Sequence, residues 1–279
     1  KSIFALQLAC ALSSGHEFLG TYDVLHAVPV AYIQAEGKLA DTKSNFLRMT
    51  RVVPCKRANL CFFYYPSLAF DTADGYQQLD QSIKQWVPPK VFIIDPLYMF
   101  MQGDLIENQD ARRMIAALRH LSESYQATVI LIHHAHRPVW DMKRNMIREE
   151  GDDALFGSFV WKAYPDLVWL LNSGSEKRRT LIADTQRMAR SVPKLEMVLH
   201  GDSIVDDPLY FELIPDSRAT TGKVLECIPP KPETISTMDI IIKTGFPKST
   251  VWSILNRLIE THHVSVVEPR SKPAFVTRV

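Results

Sequence analysis

Val91-Phe92-Ile93-Ile94-Asp95-Pro96 is the stretch of sequence that decides the fold. Its four consecutive apolar residues show no polar alternation, which predicts a strand buried on both faces, as in a parallel sheet. Asp95 then stands at the carboxyl end of that strand, the edge at which parallel sheets bind ligands. A carboxylate there is suited to hold a Mg²⁺-bound water, although an Asp that merely caps a turn is equally consistent with the pattern.

Similar segments on both sides of this strand alternate with helix patterns. The predicted helices are residues 2–14, 38–49, 75–86 and 108–124, and the predicted strands are residues 29–34, 60–65, 90–94 and 127–132. This alternation predicts an α/β fold with a mainly parallel sheet that is covered on both faces. Strand candidates at residues 166–171, 179–183, 195–199 and 209–213 predict an antiparallel extension of the sheet. Residues 137–156 are rich in charge and predict a long loop.

The composition of the 279 residues is that of a globular protein. The hydrophobic fraction is 46% and the charged fraction 23%, which excludes wholesale disorder. No apolar run approaches the roughly 18 to 20 residues that a membrane span requires, so no membrane is expected among the partners. The four cysteines lack C-x-x-C spacing, which favours reduced thiols in a cytoplasmic protein.

The net charge of +1 hides an uneven distribution. Residues 219–279 carry eight Lys/Arg against five Asp/Glu, a net of +3, whereas the preceding residues carry 24 against 26, a net of −2. The basic tail favours a contact with nucleic acid. Its pattern is three short helices followed by a hairpin with a basic tip, which predicts a winged helix-turn-helix domain. We therefore predict two domains, residues 1–214 and 215–279.

The polar positions of the third tail helix are the predicted DNA contacts. Side chains near the N-terminus of such a helix face the major groove. They are Lys248, Ser249, Thr250, Ser253, Asn256 and Arg257. Winged helices also dock on proteins, and this alternative stays open.

The chain begins with Lys1-Ser2 and passes at once into a helix pattern. A P-loop, G-x-x-x-x-G-K-[ST], ends in this pair: its Lys bridges the β- and γ-phosphates and its hydroxyl ligates Mg²⁺. Alone the pair is weak evidence, and two arbitrary residues are the alternative. Lys1 and Ser2 gain weight from the polar residues that follow at the ends of the predicted strands.

Three further groups are candidates for catalysis. Glu36 follows a strand, where a carboxylate can orient and deprotonate a water that attacks a phosphate; a solvated Glu is the alternative. The motif H-H-x-H consists of His133, His134 and His136. Neighbouring strand residues point to opposite faces, so His133 and His134 cannot easily share a zinc ion. A polar sensor of the phosphate is therefore favoured over a zinc site, and a structural His is the other alternative. Arg187 and Arg190 follow a predicted strand. One of them is either an arginine finger that contacts a nucleotide or, in the alternative, part of a solvated basic turn.

Taken in order, these pieces resemble the RecA-like ATPases of the RepA hexameric-helicase group, AAA-family ATPases of mobile elements. The resemblance covers roughly residues 1–200. The residues that carry it are Lys1-Ser2, Tyr32-Ile33-Gln34-Ala35-Glu36-Gly37, Ile93-Ile94-Asp95-Pro96-Leu97, Asp104, Glu107-Asn108, Ile132-His133-His134-Ala135-His136-Arg137, Gly157-Ser158 and Gln186-Arg187. The chain departs from the family at Phe156, where Arg is common, and at Gln186, where Lys is common.

The resemblance implies a role for each residue. It places Lys1 on phosphate, Ser2 and Asp95 on Mg²⁺, and Glu36 as the catalytic carboxylate. His134 becomes the sensor and Arg187 the finger that reaches a neighbouring subunit's nucleotide. The family usually forms rings with nucleotide between subunits, so the implied cofactors are ATP and Mg²⁺ and the implied assembly is a hexameric ring.

The sequence therefore predicts a Mg²⁺-dependent ATP hydrolase that acts on DNA, a helicase or replication and recombination ATPase of a mobile element. A DNA-binding regulator or initiator with a switch-like or inactive nucleotide site is the alternative, and a KaiC-like signalling ATPase is a third class. We also expect the native protein to extend upstream by a strand and a Gly-rich loop, with that strand lying between the Asp95 strand and the His133 strand. The chain as given is then expected to be weak or inactive.

Overall fold

The structure is a computed structural model that divides the chain into two compact units, Lys1–Leu213 and Ile214–Val279. The described residues are 1–134, 139–140, 146–147, 157–173, 177–186, 194–201, 207–214, 223–231, 233–246, 248–260, 263–266 and 275–278. Among them, no helix is long and apolar enough to cross a membrane.

A parallel sheet of four strands forms the centre of the first unit. The strands are β1 (Val30–Gln34), β2 (Leu60–Tyr64), β3 (Val91–Asp95) and β4 (Thr128–Leu131), and their spatial order is β2-β1-β3-β4. Every residue of β3 is buried, as its uninterrupted apolar sequence requires. In register, Gln34 lies beside Asp95 and Ile94 lies beside Leu131. The predicted α/β fold with a parallel sheet is confirmed.

Helices cover both faces of this sheet. The helices are α1 (Ser2–Ser14), α2 (Leu39–Met49), α3 (Ala73–Ile83) and α4 (Asn108–Tyr125). Because strand residues alternate between faces, Ile33 and Ile94 enter the core that includes α3 and α4, whereas Tyr32 and Ile93 enter the core that includes α1. The alternation therefore aims the Tyr32 side chain toward the start of the chain.

The antiparallel strands form a sheet of their own. They are β7 (Leu167–Ser173), β8 (Arg178–Gln186), β9 (Leu195–His200) and β10 (Tyr210–Leu213), in the order β10-β9-β8-β7. The predicted continuation of the parallel sheet is therefore wrong for the described strands. The physical reason is that α1 is apolar on all sides and packs against both sheets. Phe4 packs with Met197 and Phe211 of the antiparallel sheet, while Ala9 packs on the parallel sheet.

The expected position of an upstream strand is also corrected. Strand β3 pairs directly with β4, from Val91 beside Thr128 to Ile94 beside Leu131, so no strand lies between them. Each of these two apolar strands satisfies the backbone groups of the other. The outer edge of β4 pairs with no strand in the part of the chain that the structure describes.

Three short elements follow β4 among the described residues. A pair of two-residue strands, β5 (Val139–Trp140) and β6 (Met146–Ile147), lies in the segment predicted as a loop. A one-turn helix, α5 (Val160–Ala163), precedes β7.

The described residues of the second unit form three helices and a small antiparallel sheet. The helices are α6 (residues 223–227), α7 (Thr237–Thr244) and α8 (Lys248–Glu260), and the sheet has the order β11-β13-β12, from Ile235–Ser236, Phe275–Arg278 and Val264–Val266. Ser236 caps α7 by accepting from Asp239 N at 3.1 Å, and Gly245 ends it with φ of 68°. Val224, Ile240, Leu255 and Val276 belong to one buried apolar core.

Candidate functional site

The carboxyl ends of β3 and β4 meet the start of α1. Lys1 Nζ donates to the main-chain oxygen of His133 at 2.7 Å, which places the ammonium beside the end of β4. Partial burial lowers the pKa of the Lys1 side chain, and the negative charge of Asp95 opposes that shift. Lys1 and Asp95 lie 94 positions apart in sequence, and in the fold their opposite charges attract each other.

Asp95 is a buried carboxylate that accepts from a neutral hydroxyl. It is 4% exposed, and Tyr32 Oη donates to its Oδ2 at 2.5 Å. The same hydroxyl lies 3.4 Å from the main-chain oxygen of Ser2. Burial, and then the charge and hydrogen bond of Asp95, raise the pKa of Tyr32 well above its ordinary value. Tyr32 therefore stays a neutral donor that orients the carboxylate.

A second tyrosine connects two of the predicted catalytic residues. Tyr98 lies in a 3₁₀ turn directly after β3 (Leu97–Phe100), and its hydroxyl is hydrogen bonded to the Glu36 carboxylate. Its ring contacts the His134 ring at a centroid distance of 5.3 Å. Burial, and then the charge of Glu36, raise the pKa of Tyr98. Glu36 and His134 are both exposed, so they line the accessible side of this edge.

Gln34, at the end of β1, adds a buried acceptor to the site. Its Nε2 donates to the main-chain oxygen of Glu36 at 2.8 Å, which holds the Glu36 backbone against the strand end. Its Oε1 is buried and has no hydrogen-bond partner among the described atoms. A buried acceptor of this kind is suited to a donor such as an ordered water.

The two neighbouring histidines turn to different partners. The half-buried His133 ring lies 5.8 Å from the Trp161 ring, whereas the His134 ring lies on Tyr98. His136 lies outside the described residues. Within those residues, no group of three or more His, Cys, Asp and Glu side chains is arranged to hold a metal ion.

An open groove of about 420 Å³ adjoins this edge and is lined by Tyr98, Gln102, Gly103, Asp104 and Leu105. Asp71 holds the loop that lines this groove, because its carboxylate accepts from Gln102 N at 2.9 Å. The same carboxylate accepts from Arg113 Nε at 3.2 Å. Gly157 also contributes. Its φ is 107°, and a Cβ there would lie 2.7 Å from Leu105 O, so only glycine fits.

The remaining predicted residues are separate from this edge or are not described. Arg187, Arg190 and Phe156 lie outside the described residues. In the second unit, Lys248 and Asn256 of α8 are exposed. The side chains of four further predicted DNA contacts on α8 lie outside the described part of the structure; they are Ser249, Thr250, Ser253 and Arg257.

Tyr32, Gln34 and Tyr98 are site residues that the sequence did not predict. The sequence did contain a signal for Tyr32 and Gln34. Alternate residues of a strand lie on the same face, and these two positions belong to one face at the end of the strand, next to the edge of the sheet. The position of Tyr98 had no comparable signal, since it depends on the turn that follows Asp95-Pro96. The structure brings Lys1, Asp95 and the main chain of Ser2 together through Tyr32, and Glu36 and His134 together through Tyr98.

Comparisons with known proteins bear on the fold that carries these residues. Residues 1–138 match the AAA_25 family, described as an AAA domain. The structure is similar to a solved ATPase domain, with a TM-score of 0.52 and 11% identity over 71% of this chain and 77% of that chain. No curated protein sequence matches. The family match and the likeness to that ATPase domain support a RecA-like P-loop ATPase fold.

Two other solved structures show weaker similarity. One is the RadB recombinase, with a TM-score of 0.46 and 13% identity over 77% of this chain and 85% of that chain. The other is a KaiC-like protein from the hyperthermophilic archaeon Pyrococcus horikoshii OT3, with a TM-score of 0.43 and 12% identity over 67% of this chain and 76% of that chain.

Proposed function

We propose that the chain is a Mg²⁺-dependent ATPase, similar to RepA-group helicases, that acts on DNA. The observation that carries the proposal is the position of the start of α1 beside the buried Asp95 at the carboxyl end of β3, where Tyr32 Oη lies between Asp95 Oδ2 and the main-chain oxygen of Ser2. A cation beside a helix start and a carboxylate at the adjoining strand end are the two groups that a nucleotide triphosphate and its metal require.

The residues present fit the phosphates of ATP. The first turn of α1 has no side-chain cap and no acidic residue, which leaves its N–H groups available to an anion. The Lys1 ammonium is partly desolvated, so its attraction to a phosphate is less weakened by water. Lys1 would exchange its bond to the His133 carbonyl for phosphate oxygens.

The residues also fit a magnesium ion. A buried carboxylate that accepts from Tyr32 presents its remaining lone pairs in a fixed direction, which suits a metal-bound water. Ser2 begins α1 next to Lys1, and its hydroxyl would be a second ligand. When held by Asp95 and Ser2, Mg²⁺ would supply positive charge that neutralises the negative charge developing on the phosphates.

Hydrolysis would then use the exposed edge of the site. Glu36 would accept a proton from the water that attacks the γ-phosphorus, while the bond to the bridging β-oxygen breaks. Tyr98 would hold both the Glu36 carboxylate and the His134 ring, so that His134 senses the γ-phosphate. Arg187 from a neighbouring subunit would contact the same phosphate, which requires a homo-oligomer, and we propose a hexameric ring.

The second unit would contact DNA as a winged helix-turn-helix. Its support is the order of three helices and a three-stranded antiparallel sheet around one apolar core. Lys248 and Asn256 are exposed on α8, which would be the recognition helix. Met238, Ile242 and Trp252 are also exposed, and this favours protein docking as a second role of the unit.

ATP hydrolysis by the protein expressed from its native gene tests the proposal. With Glu36→Gln, turnover should fall by about 100-fold, within the range for loss of a general base, while ATP still binds. The matched control is Glu123→Gln, an exposed residue near the C-terminus of α4, which precedes β4 and so lies away from the carboxyl edge. Turnover that is absent in the unchanged protein would instead support the regulator with an inactive nucleotide site.

Single-stranded and duplex DNA complete the test. Stimulation of turnover by DNA, and its loss without residues 215–279, would support action on DNA through the second unit. DNA-independent turnover and no duplex binding would favour the signalling ATPase. Light scattering of the protein with ATP and Mg²⁺ measures the ring size, and a monomer under these conditions would contradict the finger role of Arg187.

A further inference from the structure

Two thiols that are distant in sequence lie against each other beside α1. Cys10 belongs to the third turn of α1 and is fully buried, whereas Cys55 lies between α2 and β2 and is half-buried. The thiol of Cys10 donates to Met49 Sδ at 4.0 Å, and Cys55 packs against the core cluster that contains Cys10 and Met49. Ser13 connects the same two residues, because its hydroxyl donates to Cys10 O at 2.9 Å and lies 3.5 Å from Cys55 Sγ. The two cysteines thus pack in one cluster of the folded chain and share Ser13 as a neighbour.

Hydrogen bonds on both sides of Cys55 fix this approach. Ser14 Oγ donates to the main-chain oxygen of Pro54 at 3.1 Å, and Asn59 Nδ2 donates to the main-chain oxygen of Ser13 at 3.0 Å. The segment that carries Cys55 is therefore tied to the C-terminal turn of α1 before and after the cysteine. Such anchoring holds the thiols in place without a covalent bond.

The environments of the two thiols differ in a way that assigns them different roles. The neighbouring Cys10 thiol lowers the pKa of Cys55 to about 7, helped by Ser13 and the charge of Arg57 and opposed by burial. The Cys55 thiol, with burial, raises the pKa of Cys10. Cys55 is therefore the thiolate that solvent reaches, and Cys10 is the protected thiol behind it.

We propose that Cys10 and Cys55 form a peroxide-reactive dithiol that closes to a disulfide. In the first step the Cys55 thiolate attacks a hydroperoxide oxygen, the O–O bond breaks, and Cys55 becomes a sulfenic acid as water or an alcohol leaves. In the second step Cys10 sulfur attacks Cys55 sulfur, the S–O bond breaks, and water leaves. Two thiols are oxidised by two electrons, and the hydroperoxide is reduced by the same two.

The disulfide would close a chain segment that contains β1 and Glu36. A loop of this length, 10 to 55, restricts the unfolded chain strongly, so the oxidised protein should melt several degrees higher than the reduced protein. The modification site is independent of nucleotide chemistry, so neither its formation nor its failure bears on the proposed ATPase.

Thiol counting after treatment with hydrogen peroxide tests the proposal in the full chain. Of the four thiols, two should be lost, and mass spectrometry after alkylation should find one peptide pair that joins Cys10 to Cys55. At pH 7, iodoacetamide should alkylate Cys55 about fivefold faster or more than Cys61, a half-buried thiol on β2 whose pKa is raised by burial. A linkage between other cysteines, or equal alkylation rates, would overturn the assignment.

Substitutions separate the two roles. With Cys10→Ala, Cys55 should stop at a sulfenic acid that dimedone traps, with one thiol lost instead of two. With Cys55→Ser, peroxide should leave Cys10 unreacted. Cys61→Ser is the matched control and should still lose two thiols. Because Cys10 is buried, circular dichroism must show that Cys10→Ala is folded; if it is not, the Cys55→Ser and Cys61→Ser pair still decides the proposal.

Discussion

Two buried aspartates in the first unit carry the same charge but have very different partners. The Asp71 side chain is fully buried, and it accepts from the Arg113 guanidinium and from the main-chain N–H of Gln102. Asp95 is 4% exposed and accepts from the neutral hydroxyl of Tyr32. A buried carboxylate is stable when a fixed cation and N–H groups compensate it. Asp71 has this compensation through direct hydrogen bonds within the fold, whereas Asp95 has only the longer-range attraction of Lys1 and is free to bind a metal ion.

The contrast predicts that the same substitution will have opposite consequences at the two positions. Where the charge is compensated internally, its loss should lower stability. Where the charge is reserved for a ligand, its loss should remove function and leave the fold intact. Stability and activity measured on the same pair of variants therefore test the comparison directly.

Asp95→Asn should have the largest effect. We expect ATP turnover to fall by at least about 100-fold, the magnitude seen when one preorganised electrostatic group is removed. The melting temperature should stay within about 2 °C of the original or rise, because a neutral amide is cheaper to bury and can still accept from Tyr32. Turnover and thermal unfolding measured together check this. A stable protein with unchanged turnover would contradict the assigned role of Asp95.

Asp71→Asn should come next and should act on stability. Replacing the carboxylate removes charge-assisted hydrogen bonds, and we expect the free energy of unfolding to fall by about 2 kcal/mol. Urea denaturation measures that loss. Turnover below the melting temperature should change less than threefold, because Asp71 supports the groove loop from behind. A large loss of turnover without a loss of stability would mean that Asp71 belongs to the active site.

Tyr32→Phe should have a smaller effect, confined to the Asp95 site. Loss of one hydroxyl that orients the carboxylate should cost about 1.4 kcal/mol, or tenfold, in the apparent affinity for Mg²⁺. Titration of turnover with Mg²⁺ measures this shift. Tyr125→Phe is the matched control, because Tyr125 Oη donates to Asp80 Oδ1 at 2.7 Å. An equal shift in the control would show that the effect is not specific to Asp95.

How much of this arrangement the sequence predicted depends on the range of the interaction. The strands and the polar residues at their ends follow from local apolar runs, so the sheet and the positions of Asp95, Glu36 and His134 at its edge were predictable. The direct pairing of β3 with β4 was not predictable, because the sequence of an apolar strand does not specify which other apolar strand it pairs with.

Contacts between distant segments were the least predictable. Tyr98 reaches Glu36 because a turn after β3 brings it there. Cys10 meets Cys55 because hydrogen bonds join the end of α1 to the segment before β2. Neither relation has a fixed spacing in the sequence. The compensation of Asp71 by Arg113, 42 positions away, is of the same kind.

Asp80 extends the comparison to the surface and should show the smallest effect. Partial burial raises the pKa of Asp80, but the ion pair with Lys84 at 2.6 Å and the hydrogen bond from Tyr125 together outweigh burial, so the pKa is lowered. A carboxyl whose pKa is lower in the folded state stabilises the fold above its ordinary pKa of about 3.8, and this contribution is lost as the pH falls through the lowered value. Asp80→Asn should therefore cost about 0.5 kcal/mol at pH 7 and almost nothing at pH 2. Urea denaturation at the two pH values measures the difference, and a loss that is equal at both would mean that Asp80 stabilises the fold by packing and not by its charge.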